Sequence, residues 1–185
     1  MSRSVCILYG LNEGPYMGRA LRATLLQEGF TITTDPLAAD VIFAHSGGCL
    51  LVPSNNKAQL IMQVGIPYWP GRLWLAGLAR KVRREVAMYH QEKRLGQWGC
   101  KLLHHFWYAF NVPASTRMAQ NLSFAKPWNS RQPQIVIRNQ FDEFCSPGVI
   151  RAPFNGPRTF ISLPGGHDDC WDHPEPYVSL LQSLV

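Results

Sequence analysis

Apolar residues in this chain fall into two recurring patterns. The first is the short run rich in strand formers: the unbroken Val5-Cys-Ile-Leu-Tyr9, closed by Gly10, and Val41 to Ala44, with the β-branched Phe30 to Thr34, Leu60 to Val64, Gln134 to Arg138 and Thr159 to Leu163. Runs without polar alternation suit strands covered on both faces, as in a parallel sheet. The second pattern has helical spacing. From Tyr16 to Glu28, Met17, Ala20, Leu21 and Leu25 share a stripe with Thr24, while Arg19 and Arg22 lie off it. A last helix is predicted from about Pro174 to Leu184, starting on a proline whose missing N–H costs nothing there. Strands separated by helices predict an α/β fold, a mostly parallel sheet of about six strands with helices on both faces.

The middle of the chain breaks this rhythm. Between Arg72 and about Phe124 there is no strand pattern, only helical stripes: Leu75, Leu78, Val82, Val86 and Tyr89, then Leu102, Leu103, Phe106, Trp107 and Phe110. The expectation is one domain over residues 1–185 with a helical cap inserted at about 72–125. The stretch Thr34 to Asp40 is shorter than the dozen or so residues of a helical crossover, so strand two is either vestigial or irregularly paired at the sheet edge.

Composition narrows the class. The hydrophobic share is 46% and the charged share 16%, which suits a folded globular chain and excludes a disordered one. No apolar run approaches the roughly 18 residues of a membrane span, and Gly10 interrupts the start before a signal-peptide core could form. A soluble, cytoplasmic protein is expected. The five cysteines are odd in number and form no Cys-x-x-Cys pair, so most are expected to be reduced and buried. The net charge of +6 comes from one segment, where eight Lys and Arg between Arg72 and Lys101 face only Glu85 and Glu92. Its core, Arg80-Lys-Val-Arg-Arg84, reads first as the solvated face of an amphipathic helix. Nucleic acid is disfavoured as a partner, and contact of the basic, aromatic cap with a lipid surface is the alternative.

The strongest chemical signal is Ala44-His45-Ser46-Gly47-Gly48, between a strand and a short helix stopped by Pro53. A serine on so sharp a turn presents its hydroxyl at the carboxyl end of the sheet, and small neighbours are needed where strand and helix nearly touch. Ala44 stands where the G-x-S-x-G pattern has its first glycine. The hydroxyl needs a base, and among six histidines only His167, in Pro-Gly-Gly-His167, lies just past the last strand. His45 is expected to point away as a buried, hydrogen-bonded support, and His104 and His105 to pack in the cap. The acid that orients the base should follow strand five. Asp142 is favoured there, with Glu143 beside it as an alternative. The acids and histidines from His167 to His173 lack the spacing of a metal site, and Asp168 or Asp169 is read as bonding the loop before the last helix.

The order Ser46, Asp142, His167, the turn around Ser46, and the phrases Asp-Glu-Phe-Cys-Ser-Pro and Pro-Gly-Gly-His resemble α/β-hydrolases, in particular small lipases and esterases. The resemblance covers roughly residues 4 to 66 and 132 to 185. It implies an oxyanion hole of two backbone N–H groups, from Gly47 and from Leu11 in the loop after the first strand, although Gly10 also serves simply as the turn ending that strand. It implies a serine hydrolase that cleaves a small-molecule carboxylic ester or thioester through an acyl-enzyme, with no cofactor and no metal. A peptidase or amidase on the same residues, and a binding module that has lost catalysis and uses its basic cap, are the competing readings.

Overall fold

The structure is a computed structural model and describes residues 2–10, 13–65, 74–109, 133–144 and 158–185. Six strands form one all-parallel sheet: β1 (Ser4–Leu8), β2 (Thr31–Thr33), β3 (Val41–His45), β4 (Leu60–Val64), β5 (Gln134–Asn139) and β6 (Arg158–Leu163), in the order β2-β1-β3-β4-β5-β6. Every strand expected from the apolar runs is present. The two central ones, β3 and β4, are buried at every residue, the polar His45 and Gln63 included, as strands covered on both faces are. Strand two is short but regular. Its three residues pair parallel with β1, Ser4 to Thr31 and Cys6 to Thr33, at the sheet edge. The seven-residue return needs no helix. Asp40, at its end, accepts hydrogen bonds from the Ser4 N–H (2.7 Å) and hydroxyl (2.8 Å) and pins the connection to the start of β1.

One face of the sheet carries the larger core. Leu21 and Leu25 of α1 (Arg19–Gln27) and Tyr177, Val178 and Leu181 of the C-terminal helix pack there on Val5, Val41, Phe43, Met62 and Ile137. Trp171 lies fully buried among them and stacks on Tyr9 at 5.4 Å. Among the described residues two helices lie between β4 and β5 in the chain, α2 (Trp74–Gln91) and α3 (Leu95–Ala109). The remainder of the predicted cap, 72–73 and 110–125, lies outside the described residues.

The loop after β6 holds a helical turn that periodicity did not predict, α4 (Asp169–Asp172). It precedes the last helix, α5 (Glu175–Leu184), in which Pro174 occupies the cap position. The sheet, the helices around it and the chain order define the α/β-hydrolase fold.

Candidate active site

The chain leaves β3 in extended conformation at His45 and reverses at once. Ser46 has φ of 51°, a left-handed value costly for a residue with a Cβ, and begins a 3-10 turn over Ser46–Leu51. The turn presses against β1. A Cβ on Gly48 would lie 2.3 Å from the Leu8 carbonyl oxygen and 2.8 Å from that of Tyr9, so only glycine fits. Ala44, fully buried on β3, is small enough to stand where the common pattern has glycine.

Asp142 and His167 meet at the same end of the sheet. The His167 Nδ1 lies 3.0 and 3.1 Å from the two Asp142 carboxylate oxygens. A carboxylate only accepts, so Nδ1 carries a proton, and in the neutral ring the lone pair is on Nε2. Glu143, the alternative acid, is committed elsewhere: it accepts the His167 backbone N–H (3.1 Å) and pairs with Arg84. Room for the Asp142–His167 pair comes from Gly65, one residue past β4, at φ 59°. A Cβ there would lie 3.1 Å from the imidazole and 3.3 Å from the carboxylate.

Ser46 belongs to this edge as well. His45 pairs with Val64 across β3 and β4, so Ser46 and Gly65 are the next residues beyond that pair on the two strands. Among the described residues no hydrogen bond joins the Ser46 hydroxyl to the His167 imidazole. Gly47 follows Ser46 and is buried, whereas Leu11 lies outside the described residues. Gly10 is in close contact with the serine, since a Cβ on it would fall 2.8 Å from the Ser46 Cβ.

The His167 loop is held from several sides. Asn139, at the end of β5, donates to the Gly166 carbonyl (2.6 Å) and accepts from the Tyr177 hydroxyl (2.8 Å). His45 is the buried support expected, with Nδ1 on Glu13 (2.9 Å) and Nε2 on the His167 carbonyl (2.8 Å). Asp168 is not a loop-bonding cap residue. Its side chain is 1% exposed and pairs with Lys81 (2.6 Å) and Lys101 (3.3 Å). Lys101 also pairs with Glu85 and Asp172, and Arg84 with Asp169 (2.7 Å). Burial opposes the charge on Asp168, but the two lysines outweigh it and hold the carboxyl well below its ordinary range.

The basic run therefore corrects the solvated-face reading. Lys81 and Arg84 turn inward to the acids around His167, the exposed Arg80 donates to the Glu143 carbonyl (3.2 Å), and Arg83 faces out with Val82 and Val86. Periodicity had placed the valines inside, because it registers apolar side chains and not paired charges. Leu102 and Leu103 of the second stripe are likewise exposed, and His104 packs its ring on Tyr16.

Glu13, His45, His167 and Asp168 form the one group of metal-capable side chains close enough to share an ion among the described residues. Glu13 is already bonded to His45, the His167 ring to Asp142 and Asp168 to two lysines, which is the arrangement of an ion-pair network. Cys6, Cys49 and Cys170 are buried free thiols, Cys100 is exposed, and Cys145 lies outside the described residues. Among the described residues no helix is long and apolar enough to cross a membrane.

Solved structures share this fold at low sequence identity. The enol-lactonase from Burkholderia xenovorans LB400 is 9% identical with a TM-score of 0.63, over 99% of this chain and 91% of that one. A hydrolase from Oleispira antarctica is 12% identical with a TM-score of 0.61, over 100% and 91%. The type II thioesterase BorB from the borrelidin biosynthetic cluster is 13% identical with a TM-score of 0.58, over 99% and 91%. No protein-family model matches the sequence, and no curated protein matches it.

Proposed function

We propose that this protein is a serine hydrolase that cleaves a carboxylic ester or thioester of a small molecule, with Ser46 as nucleophile, His167 as base and Asp142 as the acid that orients the base. The observation that carries this reading is the left-handed Ser46 at the carboxyl end of β3, at the sheet edge where His167 is bonded through Nδ1 to Asp142. The free lone pair on Nε2 takes the serine proton as the hydroxyl attacks the carbonyl carbon. The Gly47 and Leu11 amides stabilise the oxyanion. Collapse of the tetrahedral intermediate expels the alcohol or thiol, which takes the proton from His167. Water, activated by the same nitrogen, then hydrolyses the acyl-enzyme. The missing Ser46–His167 hydrogen bond does not oppose this sequence, since such bonds tighten when substrate is bound. The lactonase and thioesterase among the structural neighbours support acyl chemistry on this fold.

Turnover of p-nitrophenyl esters, acyl thioesters and matched anilides tests the proposal. Ester or thioester turnover is expected to exceed anilide turnover and to fall by about 10⁴-fold or more in Ser46→Ala and in His167→Asn. Anilide turnover matching the ester would make the protein an amidase. Ester turnover unchanged in Ser46→Ala would remove the serine from the mechanism.

A further inference from the structure

His45 sits at the centre of the site and takes no part in the mechanism above. Its imidazole is 0% exposed, and both ring nitrogens face acceptors: the Glu13 carboxylate at 2.9 Å and the His167 carbonyl oxygen at 2.8 Å. A neutral ring has one donor only and would leave one of these contacts as lone pair against lone pair. An imidazolium satisfies both, and Glu13 supplies its counter-charge. Glu13, itself 4% exposed, also accepts the Gly10 N–H at 2.6 Å.

We propose that Glu13 and the His45 imidazolium form a buried clamp that positions the nucleophile turn, the loop after β1 and the His167 loop relative to one another. This rests on the reading of Ser46 and His167 as nucleophile and base. The connections run outward from one ion pair. Glu13 fixes Gly10, which abuts Ser46 and precedes Leu11 in the chain. His45 precedes Ser46 directly. Its Nε2–H holds the His167 carbonyl, while Glu143 accepts the His167 N–H. The base is thereby held at its ring by Asp142 and at its backbone by two charged side chains, all with little exposure. A misplacement of about 1 Å at a reacting group can cost roughly a hundredfold in rate, which is the scale on which such a clamp acts.

The groups facing the ring are Glu13 from the loop after β1, Cys49 from the 3-10 turn, and His167, Asp168 and Cys170 from the loop and helix after β6, with Trp171 edge-on at 4.9 Å. Burial disfavours the charge on His45, but Cys170 and Glu13 outweigh it and hold the ring's pKa well above its ordinary range. Glu13 is held low because the facing charge and hydrogen bond of His45 exceed its burial penalty.

Nitrogen-15 NMR of the full chain at pH 8 reads the clamp directly. His45 is expected to carry protons on both ring nitrogens, and His167 on Nδ1 alone. In Glu13→Gln, His45 is expected to become neutral and the downfield proton of the His167–Asp142 bond to broaden or vanish. Fluorophosphonate labelling of Ser46 in the same variant is expected to slow about a hundredfold. A neutral His45 in the wild type overturns the proposal, as does a Glu13→Gln variant with the His167 proton signal unchanged. Should Glu13→Gln not fold, the wild-type spectrum alone decides. Absence of labelling in the wild type would remove the hydrolase reading, while the two NMR signals would still report whether Glu13 and His45 hold the His167 loop.

Discussion

At Gly48 the reason for one amino acid reduces to one distance. With the Leu8 carbonyl 2.3 Å from where a Cβ would stand, Gly48→Ala must push the 3-10 turn off β1 and carry Ser46 with it. The expected cost is about 1–3 kcal/mol in urea unfolding, with ester turnover lost out of proportion to stability. Gly65→Ala meets the imidazole and the carboxylate and a positive φ together, and is expected to lower turnover without altering the central strands. Measuring both properties on both variants distinguishes displacement of the serine from displacement of the base. At this scale the sequence was partly legible. Ser46, Asp142 and His167 each follow a strand, so a reading of strand ends reaches them. Glu13, Asn139, Lys81 and Lys101 were missed because a single polar residue in a loop, in a helix or at a strand end carries no periodic signal, and the partners that tie them to the site lie from 27 to 87 positions away in the chain.

Helices α2 and α3 illustrate how an element can be anticipated while its inward face is mistaken. The stripes mark helical segments, but α2 directs Lys81 and Glu85 inward beside Tyr89, where the three meet Lys101, Asp168 and Asp172. Removing one member of a buried network leaves charge without a partner, so Asp168→Asn is expected to destabilise the protein by about 3–5 kcal/mol in urea unfolding. The pH dependence has a definite sign. Asp168 is depressed below its ordinary 3.8, so its contribution is full above that value and is lost as pH falls through the folded-state pKa. Lys101 is raised above its ordinary 10.5, so its contribution is full below that value and is lost as pH rises through the folded-state pKa. The melting temperature is therefore expected to hold through neutral pH and fall at both extremes. Asp168→Asn should flatten the acid limb, and an acid limb unchanged in that variant would show that Asp168 does not link the helices to the site.

For the molecule as a whole, the sheet order determines where stability resides. β3 and β4 are flanked on both sides and buried throughout, whereas β2 has three residues and one neighbour. Amide exchange should be slowest in β3 and β4, approaching the global unfolding free energy, and fastest in β2 among the strands. Exchange in β2 as slow as in β4 would contradict this. The fold was legible because each parallel strand appears as a short run rich in strand formers, and the short return from β2 to β3 was obscure because it depends on Asp40 binding across to Ser4. The charge excess was legible as a quantity, but its use was not: part of it neutralises acids beside His167 inside the molecule.

Intact-mass analysis after exposure to a fluorophosphonate tests the central claim most directly. The wild-type chain should gain a single adduct, mapped by peptide sequencing to Ser46, and Ser46→Ala should gain none. An unmodified wild-type chain, or an adduct that persists in Ser46→Ala, would contradict the account.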